Sequence, residues 1–128
     1  MMNVSFTIEQ YLNKLPFCVA LVKDDELTSN HKIIFLNTRF NKELGWSLQD
    51  IPDKSTWFKV AFPDKDYQKV VTAQWELVIE SVDENAEYVS MDVNIKSKFN
   101  GTHRYRVYCE VNEYLFDDYY MVFFSPLS

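Results

Sequence analysis

Apolar residues recur along this chain in two rhythms, one helical and one alternating, and two short runs follow neither. Thr7 and Gln10 have the spacing of a capping box, after which Ile8, Tyr11, Leu12 and Leu15 share one helical face until Pro16 stops the pattern. Such a stripe needs a surface, most simply the outside of a sheet. Residues 17–22 are apolar without interruption, which predicts a central strand covered on both faces. Polar and acidic residues over 23–30 predict a turn, and residues 32–36 a second strand paired with the first as a hairpin. Asn37 then reads as the cap of a short helix carrying Phe40 and Leu44, closed by Gly45. Ser47 with Asp50 predicts one more helical turn before Pro52, and Trp57, Phe58 and Phe62 mark a further apolar turn.

Pro63 and Asp64 sit where a helix begins, and Tyr67, Val71, Trp75, Val78 and Val82 continue it to about residue 82, the longest helix in the chain. The rhythm then changes to a period of two. Val89, Met91, Val93 and Ile95 alternate with Tyr88, Ser90, Asp92 and Asn94. Beyond the Asn100-Gly101 turn signal, Tyr105, Val107, Cys109 and Val111 alternate with Arg104, Arg106, Tyr108 and Glu110. Residues 119–124 are apolar on both phases, which predicts a central strand beside the first. With Tyr120, Val122 and Phe124 inward, Tyr119, Met121 and Phe123 would point out, or the reverse; either choice leaves a hydrophobic patch. The expected architecture is α+β, five strands with helices crossing one face to form a cup with an aromatic interior.

Composition narrows the setting. With 128 residues, 47% hydrophobic and 16% aromatic, the chain has enough apolar surface for a single domain over 1–128, with an N-terminal cap helix over 1–16 and a core over 17–128. Its net charge of -6 argues against nucleic acid as a partner, since that affinity comes from neutralising phosphates. Two cysteines and no apolar leader point to a reducing, cytoplasmic location. No stretch has the length of a membrane span.

The stretch Asn37-Thr-Arg-Phe40-Asn-Lys-Glu-Leu44-Gly45-Trp46-Ser47-Leu48 resembles the PAS-domain signature of Asn, Phe and Leu-Gly-aromatic-Ser after a second strand. Trp57-Phe58-Lys-Val-Ala-Phe62-Pro63-Asp64, leading to Tyr67 and Trp75, is similar to the central helix of bacterial sensory-box members. The resemblance runs from about Ile8 to the end. It implies a five-stranded antiparallel sheet in the order 2-1-5-4-3 and a pocket between sheet and helices. It also implies a role as a sensory or dimerisation module of a two-component histidine kinase or a diguanylate cyclase, without catalysis by the domain itself. Where the family often ends in Asp-Ile-Thr before an output helix, this chain reads Pro126-Leu127-Ser128, a departure at the place where coupling would occur.

Flavin-binding members resemble one another in an Asn-Cys-Arg-Phe-Leu-Gln stretch, yet this sequence has no cysteine between Val19 and Tyr108. Haem-binding members take an axial histidine from the long central helix, and the expected helix has none. Neither cofactor is therefore expected, and any ligand would be small and non-covalent. Its pocket residues would be Phe35, Phe40, Trp57, Phe58, Phe62, Trp75, Met91 and Tyr105, although the same side chains also serve as plain core. Homodimerisation is expected through Ile8, Tyr11, Leu12 and Leu15, since family members pair through such helices.

Other chemistry is weaker. His31 and His103 read as solvated turn residues, and Cys18 and Cys109 as small apolar side chains. No paired spacing suits zinc, and the acidic residues at 24–26 and 117–118 read as solvated hairpin tips. Lys96, Lys98, His103, Arg104 and Arg106 gather on one hairpin as a charged edge. A small isomerase or dehydratase would need an inward acid and base; Asp92 and Glu110 fall on the outward phase, so no catalytic residue is assigned. A ligand-free interaction module remains the alternative.

Overall fold

The computed structural model describes residues 7–127. Among them the elements run α1 (Ile8–Asn13), β1 (Cys18–Lys23), β2 (Ile33–Leu36), α2 (Thr38–Glu43), α3 (Lys54–Ala61), α4 (Lys65–Glu80), β3 (Tyr88–Lys96), β4 (Thr102–Glu110) and β5 (Tyr119–Pro126). The strands form one antiparallel sheet in the order β2-β1-β5-β4-β3, as the resemblance implies. The strands β3 and β4 pair from Tyr88 and Glu110 to Lys96 and Thr102, around the Asn100-Gly101 turn. The final strand, apolar on both phases, lies between β1 and β4 at the centre.

Alternation along β5 divides its side chains between the two faces. Tyr120, Val122 and Phe124 join the core beneath α2, α3 and α4, whereas Tyr119, Met121 and Phe123 pack with Val19, Leu21 and Leu12 on the other face. The outer face is thus the one that α1 covers. Its capping box forms: the Thr7 side chain accepts from the Gln10 N–H, and the Gln10 side chain accepts from the Thr7 N–H. The helix stops at Asn13, so Leu15 reaches the outer cluster from the connection to β1 rather than from the helix.

Asn37 binds these pieces together. It is fully buried; its Oδ1 accepts from the Val19 N–H at 2.9 Å and the Phe40 N–H at 3.0 Å. Its Nδ2 donates to the Leu12 and Phe17 carbonyls, each at 2.9 Å. One amide therefore caps α2, anchors β1 and holds the end of α1, with every polar atom matched. Gly45 closes α2 at φ +77°, and a Cβ there would meet the Phe99 ring at 3.0 Å.

Two expectations about these elements need correction. Residues 54–61 form a full eight-residue helix rather than an isolated turn, because the Asp53 side chain accepts from the Thr56 N–H at 2.8 Å and starts it. His31 is not a solvated turn residue: its Nδ1 lies 2.7 Å from the Tyr120 hydroxyl and its Nε2 3.5 Å from Asp24. Glu110, on the outward phase, is only 6% exposed and accepts from the Met121 N–H at 2.7 Å and the Leu115 N–H at 3.2 Å, holding the approach to β5. His103, by contrast, is exposed, and Arg106 on the charged hairpin pairs across strands with Asp92 at 2.8 Å. No helix of the described residues is long and apolar enough to cross a membrane.

Candidate functional site

Between the sheet and α2, α3 and α4 lies a small, partly open apolar space of about 80 Å³. Phe40 enters it from α2, Trp57 and Phe58 from α3, Phe62 from the end of α3, Trp75 from α4, and Met91 from β3. Phe124, from β5, closes the floor: its ring centroid is 5.4 Å from that of Phe40 and 5.5 Å from that of Trp57, both edge to face. Such contacts fix ring positions through the quadrupole as well as through burial.

Two residues assigned to the pocket lie elsewhere. Phe35 packs on the outer face with Leu12, Val19 and Leu21. Phe35 pairs with Leu21 and so faces outward, Leu36 pairs with Ala20 and faces inward, and a one-residue slip between Leu21 and Val22 turns Ile33 inward as well. Tyr105 is in the buried core but not on the cavity wall. Its hydroxyl donates to Glu43 Oε2 at 3.0 Å, and the Cys18 thiol lies 3.3 Å from the same oxygen. Burial, and then the charge of Glu43, push the Cys18 thiol well above its ordinary value; burial and the bond to Glu43 do the same to the Tyr105 hydroxyl. That cluster is a satisfied structural network. It leaves Cys18 a protonated, unreactive thiol.

The walls also hold residues that the sequence alone did not assign to a pocket. Ile51 comes from the connection between α2 and α3, and Val107 and Cys109 from β4. Burial pushes the Cys109 thiol up to about 12, so it too stays protonated. Lys54 breaks the apolar lining; it gave no periodic signal because it is a polar residue at the start of a short helix. Beyond Lys54, Trp75, Cys109 and Tyr120 lies a second, more open cleft of about 480 Å³, bounded by His31 and Tyr114 as well as by Glu76 and Glu80 of α4. Among the described residues no group of three or more His, Cys, Asp or Glu side chains is placed to hold a metal ion.

This space is far below the roughly 300–1,000 Å³ of pockets that take drug-sized ligands. A single small ring or a short chain is the scale the walls allow, and no carboxylate or imidazole points into it.

Comparison with known proteins places this architecture. No protein-family model and no curated protein matches the sequence. Solved structures do match. The PAS domain of an HTR-like protein from Haloarcula marismortui superposes with a TM-score of 0.61 at 14% identity, covering 94% of this chain and 88% of that one. A LOV protein from Rhodobacter sphaeroides gives a TM-score of 0.65 at 11% identity over 94% of this chain and 65% of its own, so the chain spans less than two thirds of that protein. The LOV domain of a blue-light activated histidine kinase from Erythrobacter litoralis gives a TM-score of 0.59 at 11% identity over 90% of this chain and 99% of its own. At such identities the likeness speaks for architecture alone. With its strand order and its helices over one face, the chain has the fold shared by PAS and LOV domains.

Proposed function

We propose that this chain is a sensory or regulatory domain with no catalysis of its own, which binds a small apolar ligand non-covalently between sheet and helices. The observation that carries the reading is the small aromatic cavity between sheet and helices. The domain would serve a cytoplasmic signalling protein, with any output domain, a histidine kinase or diguanylate cyclase among the candidates, lying outside residues 1–128. Neither haem nor covalently bound flavin belongs to this reading. The small cavity volume favours a second one, a ligand-free interaction module whose core is filled by its own rings.

Native mass spectrometry followed by denaturing extraction tests the pair. An apolar or aromatic molecule released on denaturation is the expected result; a hydrophilic dication or a nucleotide alone would overturn the ligand reading. A protein free of ligand that is not stabilised by any small aromatic compound would establish the second. Absorption should show neither a Soret band nor a flavin peak.

The same reading includes a homodimer through the outer face. Leu12 is only 1% exposed, but Ile8 and Tyr11 beside it are 43% and 63% exposed, an apolar rim around a thin cover. Light scattering at micromolar concentration on the intact chain and on Tyr11→Asp separates dimer from monomer. Tyr11 suits the test better than the buried Leu12, whose replacement by a charge would unfold the cap. A monomer in both proteins removes the dimer.

A further inference from the structure

Lys54 is the one side chain on the cavity wall that apolar packing does not explain. Its backbone N–H bonds to the His31 carbonyl at 2.9 Å, and its side chain runs half-buried along the wall shared by the cavity and the outer cleft. The amine lies 5.9 Å from the centre of the Trp75 ring. Burial lowers its proton affinity, and the Glu76 carboxylate acts in the opposite sense. Ion pairs among the described residues join His31 to Asp24, Arg39 to Glu43, Lys98 to Asp50 and Arg106 to Asp92; Lys54 is in none of them.

The charged neighbours do not fill that role. Glu110 accepts from two backbone N–H groups, and His31 is engaged by Tyr120 and Asp24. Glu76 and Glu80 of α4 border the cleft but are exposed to solvent. The first N–H groups of α3 are already satisfied, Ser55 by the Asn30 side chain and Thr56 by Asp53, so they offer nothing further to an anion. A half-buried ammonium without a counter-ion is costly, and buried charges are ordinarily paired.

We propose that the missing counter-ion arrives with the ligand: a small apolar monocarboxylic acid whose carboxylate pairs with Lys54 at the boundary and whose ring or chain enters the aromatic cavity. This rests on the ligand reading above and adds the chemical class. One cation, with no guanidinium and no free cradle of N–H groups beside it, suits a single negative charge better than a phosphate. The cavity volume limits the apolar part to one ring or a short chain.

The experiment titrates the full chain with benzoate and with benzyl alcohol, similar in shape but uncharged, following tryptophan fluorescence and heat. Benzoate is expected to bind at least about tenfold more tightly than the alcohol, the scale of one charge-assisted contact. Lys54→Met should abolish that preference while leaving the alcohol's affinity unchanged. Lys54→Gln is the second variant should Met compromise folding, with folding of each variant checked by circular dichroism. Equal binding of both probes, or benzoate binding that survives loss of the amine, overturns the carboxylate pairing and leaves the pocket reading standing. No binding of either probe up to about 10 mM overturns both.

Discussion

On the inner face, β1 and β5 send Ala20, Val22, Val122 and Phe124 beneath three helices; on the outer face, the same strands send Val19, Leu21, Met121 and Phe123 beneath one six-residue helix whose only buried side chain is Leu12. Strand chemistry is equally apolar on both sides, so the difference lies in what covers it. The inner face has interlocked rings and retains a small cavity. The outer face has a cover too short to be stable alone, since isolated helices below about 12–15 residues are marginal in water. What keeps that cover in place is polar: the Asn37 amide bonded to the Leu12 carbonyl and, beside it, the Thr38 N–H bonded to the Asn13 side chain at 2.8 Å. The comparison suggests that the inner side supplies stability and any ligand space, while the outer side is the more easily rearranged.

Truncation on the inner face should cost most. Phe40 is 1% exposed and touches both Trp57 and Phe124, so Phe40→Ala should destabilise by about 4 kcal/mol in urea unfolding. A loss below half of that would mean that the helices collapse readily into the space. Asn37→Ala comes next, at about 3 kcal/mol, because it removes a cap and strands a buried N–H and two carbonyls. Hydrogen exchange should then show α1 opening before the sheet; simultaneous opening of all elements would contradict the polar-anchor account.

Leu12→Ala should cost about 2 kcal/mol, less than Phe40→Ala, because a short helix can settle onto the gap. An equal cost for the two would erase the contrast between the faces. The smallest effect is expected at Asp53, whose loss to Ala removes the cap of α3 at about 1 kcal/mol. The Thr56 N–H, then its hydroxyl, holds this carboxyl below the ordinary range. That contribution is complete above the unfolded value of about 4 and disappears as pH falls through the lower folded value. The gap between wild type and Asp53→Ala should therefore close on acidification; a gap independent of pH would assign the effect to something other than the carboxylate.

Much of the candidate site was legible along the chain. Phe40, Trp57, Phe58, Phe62, Trp75 and Met91 stand on periodic stripes or beside recognisable caps, and all six reach the cavity wall. Phe35 was misplaced because it pairs with Leu21 of the outer face, and which phase of a short, wholly apolar strand turns inward leaves no mark in its pattern. Tyr105 has the inward phase that alternation gives it but lies away from the cavity, bonded to Glu43. Lys54 and Glu110 were illegible in another way. A polar residue carries no rhythm, and its burial depends on what lies across from it.

Local pattern alone determined most of the elements, their order and most of their caps, because helical stripes, strand alternation and the side chains of Thr7, Asn37 and Asp64 act within a few residues of themselves. Which face of β5 would be inner was undetermined, since both phases are apolar and equally suited to burial. Only the tertiary structure decided it, by bringing three helices to one side and one to the other, and with it the position of the cavity, the seating of Asn37 and the half-buried amine of Lys54. These depend on contacts between residues far apart in the chain, and a one-dimensional pattern of polarity does not encode which distant partner each side chain meets.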